Sequence, residues 1–94
     1  TLENVTRGNH AHKNLKQYFV CVSGQCVINL DNGNAVVEHL LDSPDYGLLV
    51  DGVYWRKLYN FSLDCVLLVL ASEHYNELDY IRDYSSFLKY KKRT

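Results

Sequence analysis

The 94-residue chain has no methionine, a single proline, three cysteines and no surplus of either charge sign, and each shortage closes off a class of protein. Ten Lys and Arg stand against eleven Asp and Glu, a formal charge of −1, so there is no global positive field to hold a nucleic acid or an acidic membrane. Any anionic ligand must be gripped locally. The longest apolar run, Cys65 to Ala71, is far short of the roughly 20 residues that cross a bilayer, and the N-terminus lacks the basic and apolar regions of a signal peptide. A soluble, cytoplasmic protein is expected. Three is an odd number of cysteines, and Cys21, Cys26 and Cys65 lie in apolar, strand-like runs, so they read as reduced core thiols. With no repeat, linker or low-complexity stretch, and with Pro44 inside the turn-like cluster Asp42-Ser43-Pro44-Asp45, residues 1–94 read as one domain. The lack of methionine, with Thr1 at the start, leads to the expectation of a domain trimmed at its N-terminus.

What the chain does have is a hydrophobic content of 47% arranged in short β-rich runs. Gln17–Val22, Gln25–Leu30, Ala35–Leu41, Gly47–Val50, Val53–Phe61 and Cys65–Ser72 are separated by Ser23-Gly24, Asp31-Asn32-Gly33 and Asp51-Gly52. Turns at this spacing predict hairpins in an all-β sandwich or barrel. Leu78, Ile81, Tyr84, Phe87 and Leu88 recur at three- and four-residue steps, predicting a short helical segment over 76–88 that lies on the sheet. The basic stretch Lys89–Arg93 reads as a solvated helix end, its cations favourably placed near the negative dipole terminus.

The densest polar cluster is Arg7-Gly8-Asn9-His10-Ala11-His12-Lys13. Side chains alternate along a strand, so His10 and His12 share a face and can converge on one ligand. On its own, His-x-His is equally compatible with two ordinary surface or core imidazoles. Gln17 follows five residues after His12, an odd step that places it on the opposite face of an unbroken strand; convergence therefore requires a turn over Lys13–Lys16.

The run His10-x-His12, Gln17, Gly24 resembles the first motif of the cupin superfamily, which has a glutamate where Gln17 stands. Metal-binding cupins add a third histidine near a later turn; here that turn is Val50-Asp51-Gly52 and Trp55 takes the histidine's place. Gln17 offers a neutral amide oxygen and Trp55 no lone pair, so the remaining pair is a poor holder of zinc or iron, and no metal or other cofactor is expected. His39 and His74 lie outside the motif. A metal-free histidine pair suits proton transfer, since imidazole titrates near neutral pH. Arg7, Lys13 and Arg56 can form a cationic collar for a phosphate, or serve as ordinary surface charges. Trp55, Tyr54, Tyr59 and Tyr18 are candidates for stacking on a base or sugar, with core or dimer roles as the alternative.

Beyond the superfamily, Arg7–Lys13, Cys21-Val22-Ser23-Gly24, Leu30-Asp31-Asn32-Gly33, Trp55-Arg56, Tyr59-Asn60-Phe61-Ser62, Val66–Glu73 and Asp79-Tyr80-Ile81-Arg82-Asp83-Tyr84 resemble the sugar 3,4-ketoisomerase family, which includes the dTDP-4-keto-6-deoxyglucose 3,4-ketoisomerases. The resemblance implies a cupin jelly-roll barrel with a short C-terminal helical segment. It implies an isomerase that moves a keto group between C4 and C3 of a dTDP-linked 6-deoxyhexose, without cofactor, for the deoxyamino sugars of bacterial surface glycans. By position it makes His12 the principal base and His10 its partner, with Arg7 and Gln17 holding substrate and Lys13, Arg56, Trp55 and Tyr59 as further substrate contacts. Family members carry extra N-terminal strands that they exchange in a homodimer, so a homodimer is expected. The rival readings are a non-catalytic nucleotide-sugar or carbohydrate-binding module, a metal-dependent cupin and a 3,5-epimerase-like enzyme.

Overall fold

The computed structural model describes residues 5–93. Eight strands run in the order β1 (Arg7–His12), β2 (Gln17–Ser23), β3 (Cys26–Asp31), β4 (Val36–Leu41), β5 (Leu48–Val50), β6 (Trp55–Tyr59), β7 (Val66–Ala71) and β8 (Tyr80–Ile81), and one helix, α1 (Tyr84–Arg93), closes the chain. They form a five-stranded sheet, order β4-β3-β6-β1-β8, and a three-stranded sheet, order β5-β2-β7, and all the pairings are antiparallel. Among the described residues no strand pairing joins the two sheets, so the all-β jelly-roll is a sandwich of two sheets rather than a closed barrel.

The β-rich runs become strands at nearly the predicted positions, but their partners differ from a chain of hairpins. Only β3 and β4 form the hairpin the sequence suggests, around Asn32-Gly33, where the Asn32 side chain accepts the Asn34 and Ala35 amides. Ser23-Gly24 instead carries the chain from one sheet to the other, with Gly24 at φ +69°. The turn over Lys13–Lys16 makes the same crossing, so His12 and Gln17 face each other across the sandwich. The predicted helix over 76–88 is also displaced. Residues 77–79 form a 3-10 turn and Tyr80–Ile81 pairs with β1, so the helix starts only at Tyr84 and Leu78 is left 82% exposed. Asp83 takes over at the helix start, where its carboxylate accepts the Ser86 amide.

Two apolar clusters result. Between the sheets lie Phe19, Cys21, Cys26, Ile28, Leu30, Leu41, Val50 and Leu58. Under α1, on the outer face of the five-stranded sheet, lie Ala11, Trp55, Ile81 and Phe87. The sheet between them is one strand thick, and period-two alternation sorts β1 and β6: Ala11 and Trp55 point to the helix, while His10, His12, Arg56 and Leu58 point between the sheets. No described helix is long and apolar enough to cross a membrane.

Candidate active site

The site begins with a bulge. Arg7 pairs with Leu58, Gly8 with Lys57 and His10 with Arg56, so β1 spends one extra residue at Gly8-Asn9. Both bulge residues have positive φ, +88° and +56°. Only glycine serves at position 8, because a Cβ there would lie 2.7 Å from the Arg56 carbonyl oxygen. The bulge resets the alternation and brings Arg7, three residues from His10, onto the same face as the histidines.

The two imidazoles meet edge to face, their centroids 4.9 Å apart. Tyr80, opposite His12 on β8, packs against both, at 5.1 Å from His10 and 4.3 Å from His12. The Arg82 guanidinium lies 4.1 Å from the Tyr80 ring centroid and is held there by Glu77, N to O 2.8 Å. His10 Nδ1–H donates to the Gly8 carbonyl at 3.1 Å. His12 Nδ1–H donates to Asp79 Oδ2 at 3.2 Å. Asp79 is itself fixed by the backbone amides of Asn14, at 2.8 Å, and Leu15, at 3.2 Å, so the turn after β1 aims the carboxylate at the ring. This orientation leaves the His12 Nε2 lone pair free.

Among the described residues, His12 Nε2 and Arg56 Nε are the buried side-chain nitrogens and oxygens without a hydrogen-bond partner. Unpaired polar atoms inside a protein are costly, so each of the two calls for a partner. Arg56, 1% exposed, donates from Nη1 to Gln17 Oε1 across the sandwich and from Nη2 to the Tyr54 carbonyl. Burial, with the Arg56 charge second, lowers the His12 imidazole to about 4 in spite of Asp79. Burial also lowers His10, and it lowers Arg56 to about 10. At neutral pH the site therefore holds two neutral imidazoles beside one charged guanidinium. A cavity of about 530 Å³ opens against His12, Asp79 and Tyr80, walled by Asn14, Leu15 and residues 73–76.

The donor set does not fit a metal. Gln17 Oε1 is occupied by Arg56, no carboxylate or thiolate among the described residues joins the two imidazoles on the interior face, and the positive charge of Arg56 acts on both rings.

Of the residues singled out from the sequence, His10, His12, Arg7, Gln17 and Arg56 share the interior face, although Arg7 is exposed at its rim. Three do not. Trp55 is 5% exposed under α1, edge to face with Tyr84, because it alternates with Arg56; the inward position belongs to the arginine, and Trp55 packs in the helix-side cluster. Tyr59 lies on the outer face of the same strand, its hydroxyl bound to Glu38 and Asn29. Lys13 continues the outward side of β1, with its Nζ 5.9 Å above the Tyr90 ring, in a cavity walled by Arg82, Ser86 and Lys89. Sequence reasoning missed Asp79 and Tyr80 as site residues. Both arrive through the β1–β8 pairing, 67 residues away from His12 in the case of Asp79, and no local spacing announces that.

Comparison with known proteins places this geometry in context. A TDP-4-oxo-6-deoxy-alpha-D-glucose-3,4-oxoisomerase of Aneurinibacillus thermoaerophilus is 52% identical over 84 residues, which is 89% of this chain and 60% of that protein. A 3,4-ketoisomerase from Helicobacter canadensis superposes with a TM-score of 0.93 at 42% identity, covering 98% of this chain and 69% of the other. A histidine-to-asparagine mutant of the 3,4-ketoisomerase QdtA from Thermoanaerobacterium thermosaccharolyticum, in complex with TDP-4-keto-6-deoxyglucose, superposes with a TM-score of 0.94 at 38% identity, covering 97% of this chain and 66% of the other. The chain thus spans 60% to 69% of the length of these relatives. With residues 1–92 matched by the family model described as FdtA, WxcM-like, C-terminal, the chain belongs to that family.

Proposed function

We propose that this chain carries the catalytic core of a sugar 3,4-ketoisomerase, moving a carbonyl between C4 and C3 of a dTDP-linked 6-deoxyhexose. The observation that carries the reading is the unpartnered Nε2 of a neutral, buried His12 whose other nitrogen is held by Asp79. A proton next to a ketone is acidic because the charge left behind spreads onto oxygen. His12 Nε2 takes that proton from C3, the C3 hydroxyl proton passes to the adjacent O4 through the enediolate, and return of the first proton to C4 through the His10–His12 pair leaves the carbonyl at C3. Arg56 sits beside both rings, so its positive charge can stabilise the developing enolate oxygen. Arg7 at the rim, with Gln17 ordered by Arg56, would hold the nucleotide-sugar, and binding energy remote from the reacting carbons orients them.

The relatives support the substrate class, since one is named for TDP-4-oxo-6-deoxyglucose and another was crystallised with it as a histidine variant. His12→Asn tests the reading: TDP-sugar affinity stays within about threefold of the parent while turnover falls about a hundredfold or more. Equal turnover removes the acid–base role. Proton NMR of the product separates a migrated carbonyl from the inverted neighbours an epimerase would leave.

We also infer a homodimer. The outer face of the three-stranded sheet presents Tyr18, Leu49, Leu68 and Leu70 at 38–59% exposure, a stripe that a second copy would cover. Sedimentation velocity giving a monomer at micromolar concentration would remove this part. Three free cysteines in the described core are in keeping with a cytoplasmic setting.

A further inference from the structure

Away from the histidines, three sulfur atoms converge. Cys21 of β2, Cys26 at the start of β3 and Cys65 just before β7 come from three chain segments, and their Sγ atoms all lie within 4.8 Å of one another. Cys21 and Cys65 are 3.7 Å apart, and the Cys21 thiol donates to the Ser23 carbonyl. Cys21 lies four residues along β2 from Gln17, about 13 Å, so this cluster plays no part in the chemistry proposed above.

We propose that Cys21, Cys26 and Cys65 form a binding site for one thiophilic divalent d10 cation of the zinc class. Zinc–thiolate bonds of about 2.3 Å at tetrahedral angles put sulfurs about 3.8 Å apart, which the Cys21–Cys65 spacing already satisfies. The third sulfur needs to close by about 1 Å, within ordinary side-chain adjustment. Three sulfurs with no nitrogen or carboxylate among them select a soft or borderline ion over calcium or magnesium. Cys21 and Cys26 are fully buried, and Cys65 is only half-buried, which leaves a solvent side for a fourth, water ligand. Binding breaks three S–H bonds, forms three S–metal bonds and releases three protons to solvent, with no change of oxidation state. The bound site carries one net negative charge, whereas three bare thiolates in the same apolar cluster would carry three.

Titration of the fully reduced protein with Cd²⁺, followed by the thiolate-to-cadmium charge-transfer absorbance, tests the site, with Zn²⁺ added afterwards as competitor. One Cd²⁺ per chain, with the intensity of three thiolates and displacement by Zn²⁺, is expected. Cys65→Ser, at the half-buried position, should weaken binding at least as much as the roughly 10- to 100-fold that follows loss of a group hydrogen-bonded to a metal ligand. His10→Asn should leave it unchanged. In the unmutated protein, Zn²⁺ should protect all three thiols from alkylation. No band at excess Cd²⁺, the intensity of one thiolate, loss of the band in His10→Asn, unprotected thiols, or a Cys21–Cys65 disulfide in the purified protein would each overturn the proposal.

Discussion

Replacing Asp79 by Asn tests whether the turn after β1 sets the protonation of His12, the proposed base. Asp79 Oδ2 accepts from His12 Nδ1 at 3.2 Å, while Oδ1 accepts the Asn14 amide at 2.8 Å. Asparagine has one oxygen and one NH₂. The backbone amides of Asn14 and Leu15 can only donate, the first to Oδ1 at 2.8 Å and the second to Oδ2 at 3.2 Å; with the oxygen kept on the shorter contact, the NH₂ faces His12 Nδ1 and the Leu15 amide loses its acceptor. That nitrogen has to become an acceptor, and the ring proton moves to Nε2, the atom required as base. The lost charge-assisted hydrogen bond is worth about 1.5–3 kcal/mol. With the base in the wrong tautomer, kcat should fall by roughly 10²- to 10⁴-fold, about 3–5 kcal/mol of barrier, while KM stays within about threefold. Conversion of TDP-4-keto-6-deoxyglucose followed by proton NMR gives the rates, and ¹⁵N chemical shifts of the imidazole report the tautomer independently of turnover. A folded Asp79→Asn protein that keeps its proton on Nδ1, or that turns over at the parent rate, would refute the assignment.

Three further outcomes follow from the same geometry. His12 is held down at about 4 against an ordinary 6.5, so the unfolded chain binds more protons between those values; stability is complete above pH 6.5 and falls by about 3 kcal/mol as pH drops towards 4, a slope that urea melts should show and His12→Asn should flatten. Trp55→Ala opens the cluster under α1 and should cost about 3–5 kcal/mol in urea unfolding, whereas Trp55→Phe should recover most of that and leave turnover unchanged, in contrast to a substrate contact. Gly8→Ala meets a positive φ and the Arg56 carbonyl together, and should destabilise by about 1–3 kcal/mol, read as a lowered thermal midpoint.

Much of this arrangement was legible in the residues, for reasons that also explain where legibility stopped. Strand positions came from apolar runs ended by Asn, Asp, Gly and Ser, which is local chemistry. The convergence of His10 and His12 came from period-two alternation. Sheet partnership is a long-range property, so Ser23-Gly24 looked like a hairpin while serving as a crossover between sheets. Trp55 illustrates a related ambiguity: alternation separates it from Arg56 but does not say which of the two points inward, and a buried arginine is the less expected choice. The helix was placed too early because Ile81 contributes to two patterns at once, the helical spacing of residues 78–88 and the two-residue strand that pairs with Ala11. Asp79 and Tyr80 entered the site by that same pairing.

The thin wall formed by β1 couples two regions with different tasks. Ala11, on the same strand as both imidazoles and fully buried with Trp55, Ile81 and Phe87, is the smallest side chain that can fill this position without introducing glycine's backbone freedom. A bulkier group there would shove the backbone towards the interior and carry both rings with it. Substitutions in the cluster between helix and sheet thus act on both imidazoles through the strand that carries them.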